Sequence, residues 1–197
     1  MKVFLKAVCC AFVVCCLLSM TGFYGACEDI SEEVFRLHVI AHSDSEQEQS
    51  LKLRVRDALV RETAALFEKC ESKEDAMRLA GENQKQLQAC AQRVVRESGF
   101  DHPVAVSVTK AYFNTRVYDS FTLPAGEYDA LRVVIGSGRG KNWWCVLFPS
   151  LCFSAAGSEE LDRVMNDGEQ AIITEPERYE VRFGIVEWFE NICSWFR

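Results

Sequence analysis

The spacing of apolar residues changes several times along this chain, and each change predicts an element. Ala7–Cys27 is an uncharged run of 21 residues that follows Lys2 and Lys6. Glu33–Ala41 holds Val34, Leu37, Val39 and Ile40, a strand-like run broken by His42-Ser43-Asp44. Ser45 and Glu48 have the spacing of a capping box, each side chain placed to satisfy the other's free backbone N–H. Leu51, Val55, Ala58, Leu59 and Leu66 then share one helical face, and Lys52, Arg54, Arg56 and Glu62 the other, as far as Cys70. Ser72, Glu74 and Asp75 start a second helix with negative charge where its dipole favours it. Its apolar positions Ala76, Leu79, Ala80, Leu87, Cys90, Ala91, Val94 and Val95 continue until Gly99 stops it. The short link predicts an antiparallel hairpin of two helices.

After Gly99 the period shortens to two. Val104, Val106 and Val108 alternate, as does Thr115–Leu123, and Leu123-Pro124-Ala125-Gly126 signals a turn. Tyr128–Ile135 places Leu131, Val133 and Ile135 on one face. Gly136–Gly140 reads as a hairpin loop before the strand Trp143–Phe148, and Pro149 ends that strand. A strand rather than a helix follows the Gly-x-Gly pattern, so it is a weak phosphate cradle. Pro176 and Glu177 open a closing amphipathic helix with Val181, Ile185, Trp188, Phe189, Ile192, Trp195 and Phe196 on one side. The fold class predicted is α+β: an antiparallel sheet, an early two-helix hairpin and a C-terminal amphipathic helix packed on it, preceded by an N-terminal signal or anchor helix. Leu51, Val55, Leu59, Leu87, Val94, Leu131, Val133, Ile135 and Trp188 are the expected core.

The basic start and apolar run are what the translocation machinery reads. Ala7–Met20 has signal-peptide length, yet the whole uncharged stretch is long enough to span a bilayer. Ala26 suits the position before a cleavage site, but Tyr24 two residues earlier is bulky for one. A removed signal peptide and an uncleaved anchor both send residue 28 onward across the membrane, because the lysines stay inside. The alternative is a buried helix opening a cytosolic fold. Residues 1–27 are thus expected to be the leader, and 28–197 one exported domain.

Without Lys2 and Lys6, the 22 basic residues become 20 against 29 acidic, a formal −9 that argues against a nucleic-acid partner. Cys9, Cys10, Cys15 and Cys16 act as small hydrophobes in the leader. Cys70 at the hairpin turn and Cys90, about 25 Å along the second helix, are too far apart to pair. Cys145 and Cys152 flank a turn, where either a disulfide or two reduced core cysteines would fit. His38 and His42 have a metal-ligand spacing, but no further His/Cys cluster completes a site, and no metal or small-molecule cofactor is expected.

Two segments, Arg36–Ser45 and Asn142–Phe153, interleave polar groups with strand apolar residues. No nucleophile–base–orienter series is visible in them. Arg36, His38, Asp44, Arg132, Asn142 and Trp143 are therefore candidates for a recognition surface or its frame, with Arg36 and Trp143 as the strongest anchors. Trp143 and Trp144 face opposite sides of their strand, so one of them belongs to the core.

Those segments, with Lys52–Asp57 and the run Leu123–Gly136, resemble the stage II sporulation protein R family across about residues 33–155. The specific parts are Arg-Leu-His-Val-Ile-Ala at 36–41, Asn-Trp-Trp-Cys at 142–145 and Phe-Pro-x-Leu-Cys-Phe at 148–153. His42 stands where the family pattern has Asn, and Ser150 where it has a second proline. The resemblance implies a protein exported from the forespore into the space between the two membranes. There it would trigger a membrane-embedded aspartic protease of the mother cell, which removes the pro-sequence of sigma-E. No catalysis of its own is implied. The competing reading is an exported hydrolase built on Cys145 or Asp44 with His38. A third, a membrane-tethered module using residues 181–196 as an interfacial helix, is disfavoured by Glu180, Glu187 and Glu190.

Overall fold

The computed structural model describes residues 2–118, 121–149 and 164–195. They divide into two compact units, a division by compactness that differs from the expected division by export at residue 27. The larger unit runs over Glu32–Tyr112 and Glu127–Met165, the smaller over Met1–Ser31, Phe113–Gly126 and Asn166–Arg197.

The larger unit is built on β1 (Phe35–Ile40), β2 (Val104–Phe113), β5 (Gly126–Ile135) and β6 (Asn142–Phe148), in the order β2-β5-β1-β6. β1 is buried at all six positions, as expected of a strand with a neighbour on each side. The sheet is mixed where an antiparallel one was expected. β1 pairs antiparallel with β6 but parallel with β5. Parallel strands need a long crossover, and the helices between β1 and β2 take the chain away before it returns.

Three helices form that excursion: α2 (Glu46–Phe67), α3 (Lys73–Glu82) and α4 (Gln84–Glu97). Gln86 donates to Glu62 at 2.6 Å and Arg54 to Ser98 at 3.3 Å, so α4 runs back along α2 as the hairpin requires. The second arm is broken at Asn83, contrary to a single helix from Ser72 to Gly99. The Asn83 side-chain amide donates to the Leu79 carbonyl at 2.9 Å, competing with the backbone for the same acceptor. Ser45 caps α2 by accepting from Glu48 N, but the reciprocal half of the expected capping box is missing. The Glu48 carboxylate instead meets His102 Nε2 at 2.7 Å.

Leu51, Val55, Leu59, Leu87, Leu131, Val133 and Ile135 are fully buried in one cluster between these helices and the sheet, with Val94 packed at its margin. Lys73 and Asp129 form an ion pair of 2.8 Å beside it, their side chains 10% and 11% exposed. Cys70 and Cys90 are free and buried.

The smaller unit contains α1 (Lys2–Glu33), β3 (Arg116–Val117) paired antiparallel with β4 (Thr122–Leu123), α5 (Asp167–Thr174), a 3-10 turn (Pro176–Arg178) and α6 (Glu180–Trp195). Within the expected strand Thr115–Leu123, the described residues thus form two short paired strands. α6 is helical as expected but buries a different side. Phe183 and Val186 are inside, Phe183 against Phe23 of α1, whereas Val181, Ile185 and Trp188 are 76%, 44% and 65% exposed. Trp188 is therefore not a core residue. The side chains of Phe189, Ile192, Trp195 and Phe196 lie outside the described residues. Among the described residues no helix is long and apolar enough to cross a membrane.

Candidate functional site

The site is assembled by one topological fact. β5 and β6 are consecutive in sequence but are separated by β1, so Gly136–Lys141 is no hairpin loop. It crosses the end of β1 and lies on Ala41–Ser45. Gly140 N donates to Ala41 O at 2.9 Å, Ser137 N to His42 Nδ1 at 3.0 Å, and Ser137 Oγ to His42 O at 2.9 Å. Asp44 Oδ1 accepts from Lys141 N at 2.6 Å. The fit leaves no room for side chains: a Cβ on Gly140 would stand 2.3 Å from the Ser43 carbonyl oxygen. Lys52 holds the crossing from below, its ammonium donating to Gln49 Oε1 at 2.6 Å and Lys141 O at 3.0 Å. Burial pulls the Lys52 pKa below its usual value, against the opposing pull of Asp44.

The strand register sorts the remaining candidates by face. His38 lies opposite Arg132 on β5 and Trp144 on β6, so the three form a row across the sheet face turned away from α2. Arg36 lies one step along the same face, fully buried, with its guanidinium 4.7 Å from the centre of the Tyr128 ring. The His38 ring stacks on Trp144, and its Nε2 lies 3.2 Å from Asn142 Oδ1. Burial pulls the His38 pKa down to about 4; the Asn142 hydrogen bond opposes this, and Arg132 and Arg36 add to it. The imidazole is neutral at neutral pH. Arg132 and Asn142 are exposed and Trp144 half-buried, so the row has an accessible edge.

Trp143 does not join this row. It packs on the helical core, with the Arg56 guanidinium 4.4 Å over its ring and Asp57 Oδ1 holding that guanidinium at 2.6 Å. The partner of His38 is Trp144, which the sequence reading passed over. The signal was present in strand parity: Trp144 shares a face with Asn142, and Trp143 does not. His42 and His102 were also missed as a pair; their rings stack 4.1 Å apart beside Glu48.

Cys145 lies opposite Leu37 and faces the helical core, while His38 faces the other way. A Cys145–His38 nucleophile–base pair is therefore not formed. Cys145 is disulfide-bonded, and Cys152, its expected partner, lies outside the described residues. Asp44, the other hydrolase candidate, is engaged by the Lys141 amide. His38 and His42 turn to different neighbours, and no group of three metal-binding side chains occurs among the described residues.

This geometry joins the two motif segments into one structure, and the comparisons with known proteins fall on the same stretch. The family model for stage II sporulation protein R matches residues 31–158, which include β1, the three helices, the crossing loop and β6. The stage II sporulation protein R of Bacillus subtilis (strain 168) is 33% identical over 187 residues, covering 84% of each chain. No solved structure matches the chain. With the family model covering most of the chain and a relative at this identity, the chain belongs to the stage II sporulation protein R family, a family of sporulation proteins.

Proposed function

We propose that this chain is an exported sporulation signal that activates a membrane-embedded aspartic protease of the mother cell and so causes processing of pro-sigma-E. It acts as a ligand, and the residues 28–197 that carry the signal enter the intermembrane space behind the leader 1–27. The observation that carries this reading is the family match, which spans both motif segments and the loop crossing that joins them.

Within that reading, the receptor-facing patch is the sheet row of Arg132, His38 and Trp144 with Asn142 at its edge. Arg36, Asp44 and Trp143 act as frame: Arg36 is buried on Tyr128, Asp44 holds Lys141, and Trp143 fills the core side. Arg and Trp are the residues that most often concentrate interface energy, and here they flank a neutral, stacked imidazole. The hydrolase reading loses its geometric basis, since its candidate groups lie on opposite sheet faces or in backbone bonds.

The test is co-expression of the chain, the receptor protease and pro-sigma-E in a host that lacks all three. Shortened sigma factor is expected with the wild-type chain. Arg132→Ala and Trp144→Ala should lose it together with receptor binding while remaining folded. A folded variant that binds the receptor normally yet yields no processing would return a catalytic role to contention.

A further inference from the structure

Thr115, just before β3, and Thr122, in β4, belong to the smaller unit, and neither hydroxyl has a hydrogen-bond partner among the described residues. Thr122 is 1% exposed, so its Oγ1 has lost water without gaining a protein partner, an arrangement that costs stability unless something else supplies the bond. Both threonines line an open cleft of about 410 Å³. Its apolar wall is made by Val117, Pro176 and Phe183. Its rim carries Glu177, Glu180 and Glu187, none of which is in an ion pair among the described residues.

We propose that this cleft binds an arginine-bearing peptide segment of a protein partner. The chemistry selects that class. Unpaired carboxylates attract a cation, and unpaired hydroxyl oxygens accept N–H bonds. The guanidinium alone among side-chain cations offers five N–H donors in a fixed fork, so it reaches a rim carboxylate and an inner hydroxyl at once. Its three-carbon stem lies on Phe183 and Val117, as long cationic side chains do on apolar surface. A bare metal ion would leave the apolar wall uncovered and find its oxygens spread too widely. Glu180 and Glu187 are separated by about 10 Å along α6, the reach of an extended segment of several residues rather than of a small molecule. The site stands on residues apart from the sheet row, so either can fail without the other.

The probe is an acetylated and amidated five-residue peptide alternating leucine and arginine, titrated by calorimetry into the full chain. The control is the same peptide with citrulline, which keeps the shape and removes the charge. Binding is expected, weakened by about tenfold or more for the citrulline peptide and for Glu180→Gln/Glu187→Gln. Gly184→Leu provides a steric test. Gly184 lines the cleft, and a Cβ there meets no atom within 4 Å, so the added side chain occupies cleft space without displacing the protein. It should abolish binding at unchanged melting temperature. Thr122→Val should weaken binding several-fold without loss of stability, and it serves if Gly184→Leu fails to fold. Equal binding of the citrulline peptide, full binding by folded Gly184→Leu, or no binding of the arginine peptide would each overturn the proposal.

Discussion

His38 and Trp144 stack with ring centres 3.8 Å apart and planes 22° from parallel, across the β1–β6 pair. The contact helps bury the imidazole beneath the exposed edge of the row, and that burial keeps it neutral. It also ties a strand of one motif segment to a strand of the other, so damage to either segment reaches the same patch.

His38 makes stability depend on pH. Its folded pKa of about 4 lies below the 6.5 of a free imidazole, so the unfolded chain binds the proton more readily. The contribution is fully present above about pH 6.5 and is lost as pH falls toward 4. It amounts to about 3 kcal/mol at most. Urea titrations at pH 7 and pH 4.5 should show a larger loss for wild type than for His38→Gln.

Gly140→Ala should loosen the loop crossing. The new Cβ would meet the Ser43 backbone, which cannot swing aside as a flexible side chain can. A loss of about 1–3 kcal/mol is expected, the usual cost of overpacking. Amide exchange should rise at Ser137 and Lys141 more than in α2.

Lys73 and Asp129 should be worth more broken than replaced. Their charges are largely removed from water, so Asp129→Leu strands an ammonium in the interior and should cost about 3–5 kcal/mol. Lys73→Met combined with Asp129→Leu should recover much of that loss. Equal losses in the single and double variants by chemical denaturation would count against a desolvated pair.

Leu59 and Trp188 separate the true core from the helix face that only looks like core. Leu59→Ala should cost about 2–5 kcal/mol, because the residue is fully enclosed by helices and sheet. Trp188→Ala should change stability by less than about 0.5 kcal/mol, the range typical of surface positions. Thermal melts of the two variants decide it.

The sequence alone determined the starts of α2 and α3, the runs of β1, β5 and β6 and most of the core. Serine caps, helical and two-residue periods, and glycine stops are local signals, and Ser45, Ser72 and Gly99 act where their chemistry places them. The family was legible too, because its motifs are rare side-chain strings within β1 and β6. Strand order was not legible. Nothing near Gly136–Gly140 says that β1 will lie between β5 and β6, since that order depends on where a distant strand buries both faces. From the order followed the loop crossing, the parallel pair and the separation of Cys145 from His38 by the sheet. The choice between Trp143 and Trp144 likewise waited for register, which sets a face only once the partner strand is known. On α6 the apolar period was real, but which side is buried is decided by what packs there, and Phe23 meets Phe183 rather than Trp188. Local chemistry thus determines elements, while long-range burial decides which of their faces meet.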